Sequence, residues 1–179
     1  VTDGVGLKRN RMNGMGIDFI DARRAYFHAK CRRDLYVELP EEDAEDGMCG
    51  KANMSSYDTR DATQNWEEEH SEFLVGFGFS RGKASPCLSW QLERESRVVV
   101  HGDDFTVLGW EKELGWFKRM MGARFEYKHR GRLGPADNDE KSIRILNRVV
   151  HWKEGGIDYE PDQRHAEIIV KQMQLTEES

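Results

Sequence analysis

Positive charge is what this chain is short of. Lys and Arg number 27 against 33 Asp and Glu, a net charge of −6, and the isoelectric point is about 5.6. A protein that grips nucleic acid by itself is usually basic. Any nucleic-acid role therefore rests on local basic patches or on parts outside this chain. Cysteine is also scarce. Cys31, Cys49 and Cys87 are far apart and odd in number, which points away from a disulfide framework or a zinc site and fits a reducing compartment. No apolar run approaches the length of a membrane span and no signal peptide is visible. The expectation is a cytoplasmic protein with no membrane partner. An initiator Met is missing too, so the chain reads as a fragment or a processed piece, and internal repeats are absent. What is present is 179 residues, about one domain's worth and enough for one core. At 37% hydrophobic and 34% charged, it is polar for a globular domain but not disordered.

Periodicity divides the chain. Residues 1–15, rich in Gly, Asn and basic side chains, form a loose lead-in. "GIDFIDA" (16–22) alternates as a strand, with Ile17, Phe19 and Asp21 on one face. "RRAYFHA" reads as a turn or short helix, "DLYVELP" (34–40) as a short strand ending at Pro40, and "EEDAEDG" (41–47) as a solvated acidic loop. From Ala62 to Gly76, Trp66, His70, Phe73 and Leu74 recur at helical spacing, with Gly76 or Gly78 as the stop. "CLSWQLE" (87–93), "RVVVHG" (97–102) and "DDFTVLG" (103–109) read as successive strands. Residues 111–122 place Leu114, Phe117 and Met121 on one face of a helix stopped by Gly122. "ARFEYKH" and "SIRILNRVVHW" alternate like strands on either side of a turn-rich linker, and "GGIDYEP" is a further short strand. Pro161 opens a last helix with Ala166, Ile169, Val170 and Met173 on its inner face. Strands mixed with helices and several hairpins predict an α+β domain with a largely antiparallel sheet.

The hairpin "VVVHGDDFTVLG" (98–109) carries the chemistry. One Asp at its tip is ordinary turn chemistry, because the side chain caps local amides. Two adjacent carboxylates, Asp103 and Asp104, repel each other unless solvent or a cation compensates. Upstream, Asp21 stands where an apolar strand runs out, placed either to end that strand at the surface or to aim at a site. Hard cations such as Mg²⁺ take oxygen ligands, and a pair of ions needs bridging carboxylates plus substrate phosphates. One Asp from one strand and two from a neighbouring hairpin make such a cradle, suited to in-line attack of a hydroxyl on a phosphate. Spacing along the chain does not decide between these readings.

Order does. "IDFIDARRAYFHAKCRRDLYVELP" resembles the first catalytic motif of copia-type retrotransposon reverse transcriptases, with Asp21, Ala25, Tyr26 and the stretch Asp34 to Pro40 at the matching places. "SSYDTRDATQNW" (55–66) resembles that family's Tyr-Gly segment leading to a Trp. "GFGFSRGKASPCLSW" resembles the segment before the catalytic hairpin, and "VVVHGDDFTVLG" is similar to the Tyr-x-Asp-Asp motif with His101 for the Tyr. "RFEYKHRGRLGP", "RILNRVVHW" and "IDYEPDQRHAEIIVKQMQL" follow in the family's order, so the resemblance covers about residues 16–175.

The resemblance implies a polymerase palm-like, mainly antiparallel sheet with packed helices and the catalytic Asp-Asp at a hairpin tip. It implies a palm at 16–160 and, at 161–179, a helix opening the thumb region. The implied activity is RNA-directed DNA polymerisation, templated transfer of nucleotides from dNTPs to a primer 3′-hydroxyl. The implied cofactor is two Mg²⁺ ions, with Mn²⁺ as a possible substitute, held by Asp21, Asp103 and Asp104, the last contributing less. Tyr26 would lie under the deoxyribose and exclude a 2′-hydroxyl, although a core aromatic reads the same in sequence. The backbone N–H groups of Arg24 and Ala25 would face the phosphates, and Tyr57 would line the nucleotide pocket or simply pack. Implied partners are an RNA or DNA template-primer, dNTPs and the other polyprotein segments (fingers, thumb, RNase H and integrase), in a virus-like particle. The pattern is departed from in three places: Asp58 replaces a Gly, Asp61-Ala62-Thr63 replaces Gln-Ser/Ala-Pro, and His101 replaces the Tyr. Only about 20 residues precede Asp21, fewer than a fingers region needs. Two other readings stand beside the polymerase: a truncated relic without catalysis, and another palm-like phosphotransferase.

Overall fold

The computed structural model describes residues 14–145, 148–154, 156–160 and 163–173; of the predicted loose lead-in at 1–15, residues 1–13 lie outside them, while Met15 is buried and already opens the first strand. The architecture is α+β. Its main unit is a six-stranded antiparallel sheet built from β1 (Met15–Ala22), β4 (Ser80–Arg81), β5 (Leu88–Gln91), β6 (Ser96–His101), β7 (Asp104–Trp110) and β8 (Tyr127–Leu133), in the order β4-β5-β6-β7-β1-β8. Two helices, α1 (Ala62–Gly76) and α2 (Glu111–Arg124), supply Trp66, Leu74, Leu114, Phe117, Met120 and Met121 to a core shared with Ile20, Ala22, Val98, Val100, Phe105 and Val107 of the sheet. Alternation puts each strand's other residues on the opposite face. Asp21 and Asp104 belong to that second face. A two-stranded ribbon, β2 (Tyr36–Val37) with β3 (Gly50–Lys51), and a three-stranded sheet of β9 (Ser142–Ile145), β10 (Arg148–Lys153) and β11 (Gly156–Glu160) complete the strands. The last described element is α3 (Gln163–Gln172).

Local chemistry explains most boundaries. α1 ends in a Schellman motif: the Gly78 N–H donates to the Val75 carbonyl and the Phe79 N–H to that of Leu74. The residue that must turn left-handed there is Gly78, at φ 85°. α2 does not stop at Gly122 but runs on to Arg124. A helix tolerates an internal Gly at about 1 kcal/mol, and here the bare Cα makes room, since a Cβ would sit 3.3 Å from Tyr127. The predicted single strand "SIRILNRVVHW" is a hairpin, β9 and β10, and β8 extends into the predicted linker as far as Leu133. The strand at 34–40 shrinks to Tyr36–Val37. On α3, Ile169 and Val170 are exposed rather than inward, as is Met173 just past its end, and the side chain of Ala166 lies outside the described residues. Amphipathic spacing fixes which residues share a helix face, not whether anything covers it.

β1 is more enclosed than its alternation implies. Its helix-side residues include Asp18, which is fully buried. Arg132 of β8 grips that carboxylate with two bonds, Nε to Oδ1 at 2.6 Å and Nη2 to Oδ2 at 3.1 Å, while His129 lies at 3.2 Å and Lys118 of α2 at 3.7 Å. Burial alone would raise the Asp18 pKa. The Arg132 bonds and charge, with Lys118 and His129, outweigh it and hold the group below the usual carboxylate range. On α1, His70 is buried against Trp66 and Phe105, and desolvation lowers its pKa to about 4.

Two stability predictions follow from these buried groups. Arg132→Ala leaves a buried carboxylate short of its main partner, and urea unfolding at pH 7 should show a loss of about 3–5 kcal/mol. That loss should shrink toward pH 3, where the stranded Asp18 takes up a proton. His70 behaves with the sign of a depressed histidine: between pH 6.5 and about 4 the unfolded chain binds a proton that the folded chain refuses. Its contribution is complete above pH 6.5 and lost as pH falls toward 4, by up to about 3 kcal/mol. A His70→Phe variant should show a flatter stability profile over that window.

Candidate active site

The sequence-predicted carboxylates come together. β1 and β7 pair in unbroken antiparallel register from Met15↔Trp110 to Asp21↔Asp104, so the two Asp residues face each other across the last rung. Asp104 is also registered opposite His101 on β6. Between them, Gly102 and Asp103 form a two-residue turn. Gly102 takes φ 63° and Asp103 does not share a positive φ, the pattern of a II′ hairpin turn with Gly first. The tip is anchored through its backbone. Trp66 Nε1 donates to the Gly102 carbonyl at 2.8 Å, and the Ala22 N–H donates to the Asp103 carbonyl at 2.8 Å. Asp103 is exposed and Asp104 half-buried.

Arg130 of β8 lies between the facing carboxylates. Its Nε and Nη2 donate to Asp21 Oδ2 at 3.1 and 2.6 Å, and the same Nη2 stands 3.5 Å from Asp104 Oδ1. Through that shared nitrogen the two carboxylate oxygens are within about 6 Å of each other. Burial raises the Asp104 pKa, opposed by Arg130 and reinforced by the charges of Asp103 and Asp21. Among the described residues no cluster of three or more His, Cys, Asp and Glu makes a metal site. The donor set is instead two facing carboxylates that share the Arg130 guanidinium, with a third carboxylate exposed in the adjoining turn. Mg²⁺ is commonly held by one or two carboxylates with waters and substrate phosphates, and this donor set fits such an ion.

The remaining predicted residues border the tip. After β1, Arg24 adopts the left-handed conformation (φ 53°, ψ 41°) and starts a 3₁₀ turn at Ala25–His28. A non-glycine residue there is strained, and such strain clusters at functional positions. Ala25, whose N–H is expected to face phosphate, is buried in the core cluster. Tyr26 packs a flank on the core, stacks at a tilt on Tyr57 with ring centroids 4.5 Å apart, and places its hydroxyl 3.4 Å from Thr63 Oγ1. Partial burial and then the Asp103 charge push the Tyr57 phenol up. Of the departures, Asp61 is engaged structurally: it accepts from Arg33 Nε at 2.9 Å and from Asn65 at 3.3 Å. Asp58 is exposed. Sequence reasoning missed Arg130. No period marks it, because β8 carries one extra residue there: Phe19 pairs Gly131 but Ile20 pairs His129.

No family model matches the chain. It is similar to the "Retrovirus-related Pol polyprotein from transposon TNT 1-94" of Nicotiana tabacum, at 24% identity over 127 residues, covering 67% of this chain. The chain spans only 9% of that polyprotein's length. The relationship is thus to a segment of a transposon Pol polyprotein. Among the described residues no helix is long and apolar enough to cross a membrane.

The electrostatics make a stability prediction in the absence of divalent ions. Asp104 has a raised pKa, so its carboxylate form costs stability above the ordinary Asp range; that cost shrinks as pH falls through the raised value and is gone below the ordinary Asp range. Asp104→Asn removes the desolvated charge and its repulsion with Asp103 and Asp21, at the loss of one long contact to Arg130. Thermal melts in EDTA should show a higher midpoint for the variant at pH 7 and no advantage at pH 3.

Proposed function

We propose that this chain is the palm of a copia-type retrotransposon reverse transcriptase, transferring nucleotides from dNTPs to a primer 3′-hydroxyl on an RNA or DNA template. The observation that carries the reading is the Asp21↔Asp104 rung beside the Asp103 turn, with oxygens of both facing carboxylates directed at one cationic point. The similarity to a transposon Pol polyprotein supports it, as does the order of motifs along the chain. Asp21 and Asp103 would hold two Mg²⁺ ions with Asp104 assisting; when bound, the ions would lower the pKa of the primer hydroxyl and neutralise the triphosphate and leaving pyrophosphate. The chain's own residues do the positioning. Trp66 and Ala22 fix the turn. The left-handed Arg24 directs the backbone after β1 toward the same tip, and Tyr26, braced by Tyr57 and Thr63, forms the floor on which the sugar would rest.

Two measurements test this, both made on the chain within its full reading frame. Primer extension on poly(rA)/oligo(dT) with Mg²⁺ or Mn²⁺ should occur, and Asp21→Asn should slow it on the order of a hundredfold or more. Unimpaired extension by that variant, or none by the folded parent with either ion, removes the proposal. Tyr26→Val should raise ribonucleotide incorporation relative to deoxyribonucleotide without abolishing dNTP use, because it deletes a clash and not a reacting group. Unchanged discrimination in an active variant returns Tyr26 to a packing role alone.

A further inference from the structure

The extra residue in β8 has a specific effect. With regular pairing continued past Asp18↔Arg132 and Phe19↔Gly131, Arg130 would fall opposite Ile20 and share its side of the sheet, with the helices. The shift gives that place to His129, which indeed reaches Asp18 on the helix side at 3.2 Å. Arg130 is left unpaired in the register and is re-aimed at the opposite face, a recognised role of β-bulges. There it meets Asp21 at 2.6 Å and Asp104 at 3.5 Å. Its side chain is 48% exposed, against 17% for Arg132 two residues on. β8 is the edge strand of its sheet.

We propose that Arg130 is a resident counter-cation of the carboxylate site, which a divalent metal ion must displace to reach Asp21 and Asp104. The inference rests on the reading of these carboxylates as metal-holding. The Arg130 Nη2 occupies the point on which both carboxylates converge, and a divalent ion at that point would meet a full positive charge at contact distance. Release is mechanically simple: the guanidinium is half in solvent, sits on a long flexible stem, and leaves an edge strand without disturbing the core. Metal entry and guanidinium departure are then one exchange, and the site without metal avoids facing carboxylates with no cation between them. The arrangement weakens metal affinity in the resting protein and makes the carboxylates available in step with the ion.

The exchange is read by metal binding, not by turnover. Mn²⁺ titration followed by electron paramagnetic resonance should give an affinity for Arg130→Gln about tenfold tighter than for the parent, the scale of one exposed, charge-assisted contact. Arg130→Lys, which keeps the charge, should stay near the parent. Asp21→Asn combined with Arg130→Gln should lose the gain. In the parent, the slowly exchanging Arg130 Nε–H signal in ¹⁵N spectra should become fast-exchanging as Mg²⁺ saturates. Equal or weaker binding by Arg130→Gln, binding by Arg130→Lys as tight as by Arg130→Gln, or an Nε–H signal unmoved by Mg²⁺ overturns the exchange while leaving the metal reading in place. Absence of Mn²⁺ binding in both folded parent and Arg130→Gln removes the metal reading itself. Circular dichroism of each variant separates these outcomes from misfolding.

Discussion

β1 is held between two strands in two different ways, and the rest of the structure depends on that difference. Toward β7 the register is unbroken for seven rungs, which carries Asp21 to a place opposite Asp104. Toward β8 the register breaks by one residue between Phe19 and Ile20. Because side chains alternate with a period of two, a one-residue slip moves every following side chain to the other face. The unbroken side therefore assembles the carboxylates, and the broken side decides which basic residue meets them. One strand of eight residues thereby sends Asp18 into the core and Asp21 to the open face, each with its own arginine from the same neighbour.

Those two arginine–carboxylate pairs look alike in sequence and differ in consequence. Asp18–Arg132 is buried under α2 with His129 and Lys118 close by. Breaking such a pair leaves an uncompensated charge out of water, which is expensive. Asp21–Arg130 is half in solvent, where ion pairs contribute little and exchange readily. The same chemistry therefore gives a fixed strut inside the fold and a replaceable contact at its surface. Nothing in the local sequence "EYKHRGRL" distinguishes the two arginines; burial does.

What was legible in the sequence was whatever short-range pattern controls. The apolar residues Val98, Val100, Phe105 and Val107 mark the hairpin and the spacing of Trp66, His70 and Leu74 marks α1, both as observed, whereas Gly102 and Asp103, read as strand ends, form the turn. The strand-end position of Asp21 also reads correctly, although its opposition to Asp104 is a long-range pairing that spacing cannot give. The failures are of the same kind. Gly122 reads as a helix stop because its packing partner, Tyr127, is invisible until the chain folds. Nothing in the sequence marks Asp18 as buried, because its three basic neighbours come from β8 and α2. Arg130 reads as one more charge in a polar strand because a bulge leaves no compositional trace.

The way the hairpin tip is fastened bears on what its carboxylates are for. An Asp-Asp turn that served only to close a hairpin would be expected to spend its side chains on local amides. Here the turn is closed by Gly102 in a left-handed conformation and held by two contacts to backbone carbonyls, from Trp66 Nε1 and from the Ala22 N–H. Both anchors come from outside the hairpin, one from α1 and one from the end of β1, so the tip is positioned relative to Asp21 by the core itself. Neither anchor uses a carboxylate oxygen. Asp104 is kept partly desolvated beside two other acids, a placement that raises its pKa and costs stability. Costly charge held in place by contacts that do not satisfy it is a pattern that clusters at functional sites, and here the cation beside it is Arg130.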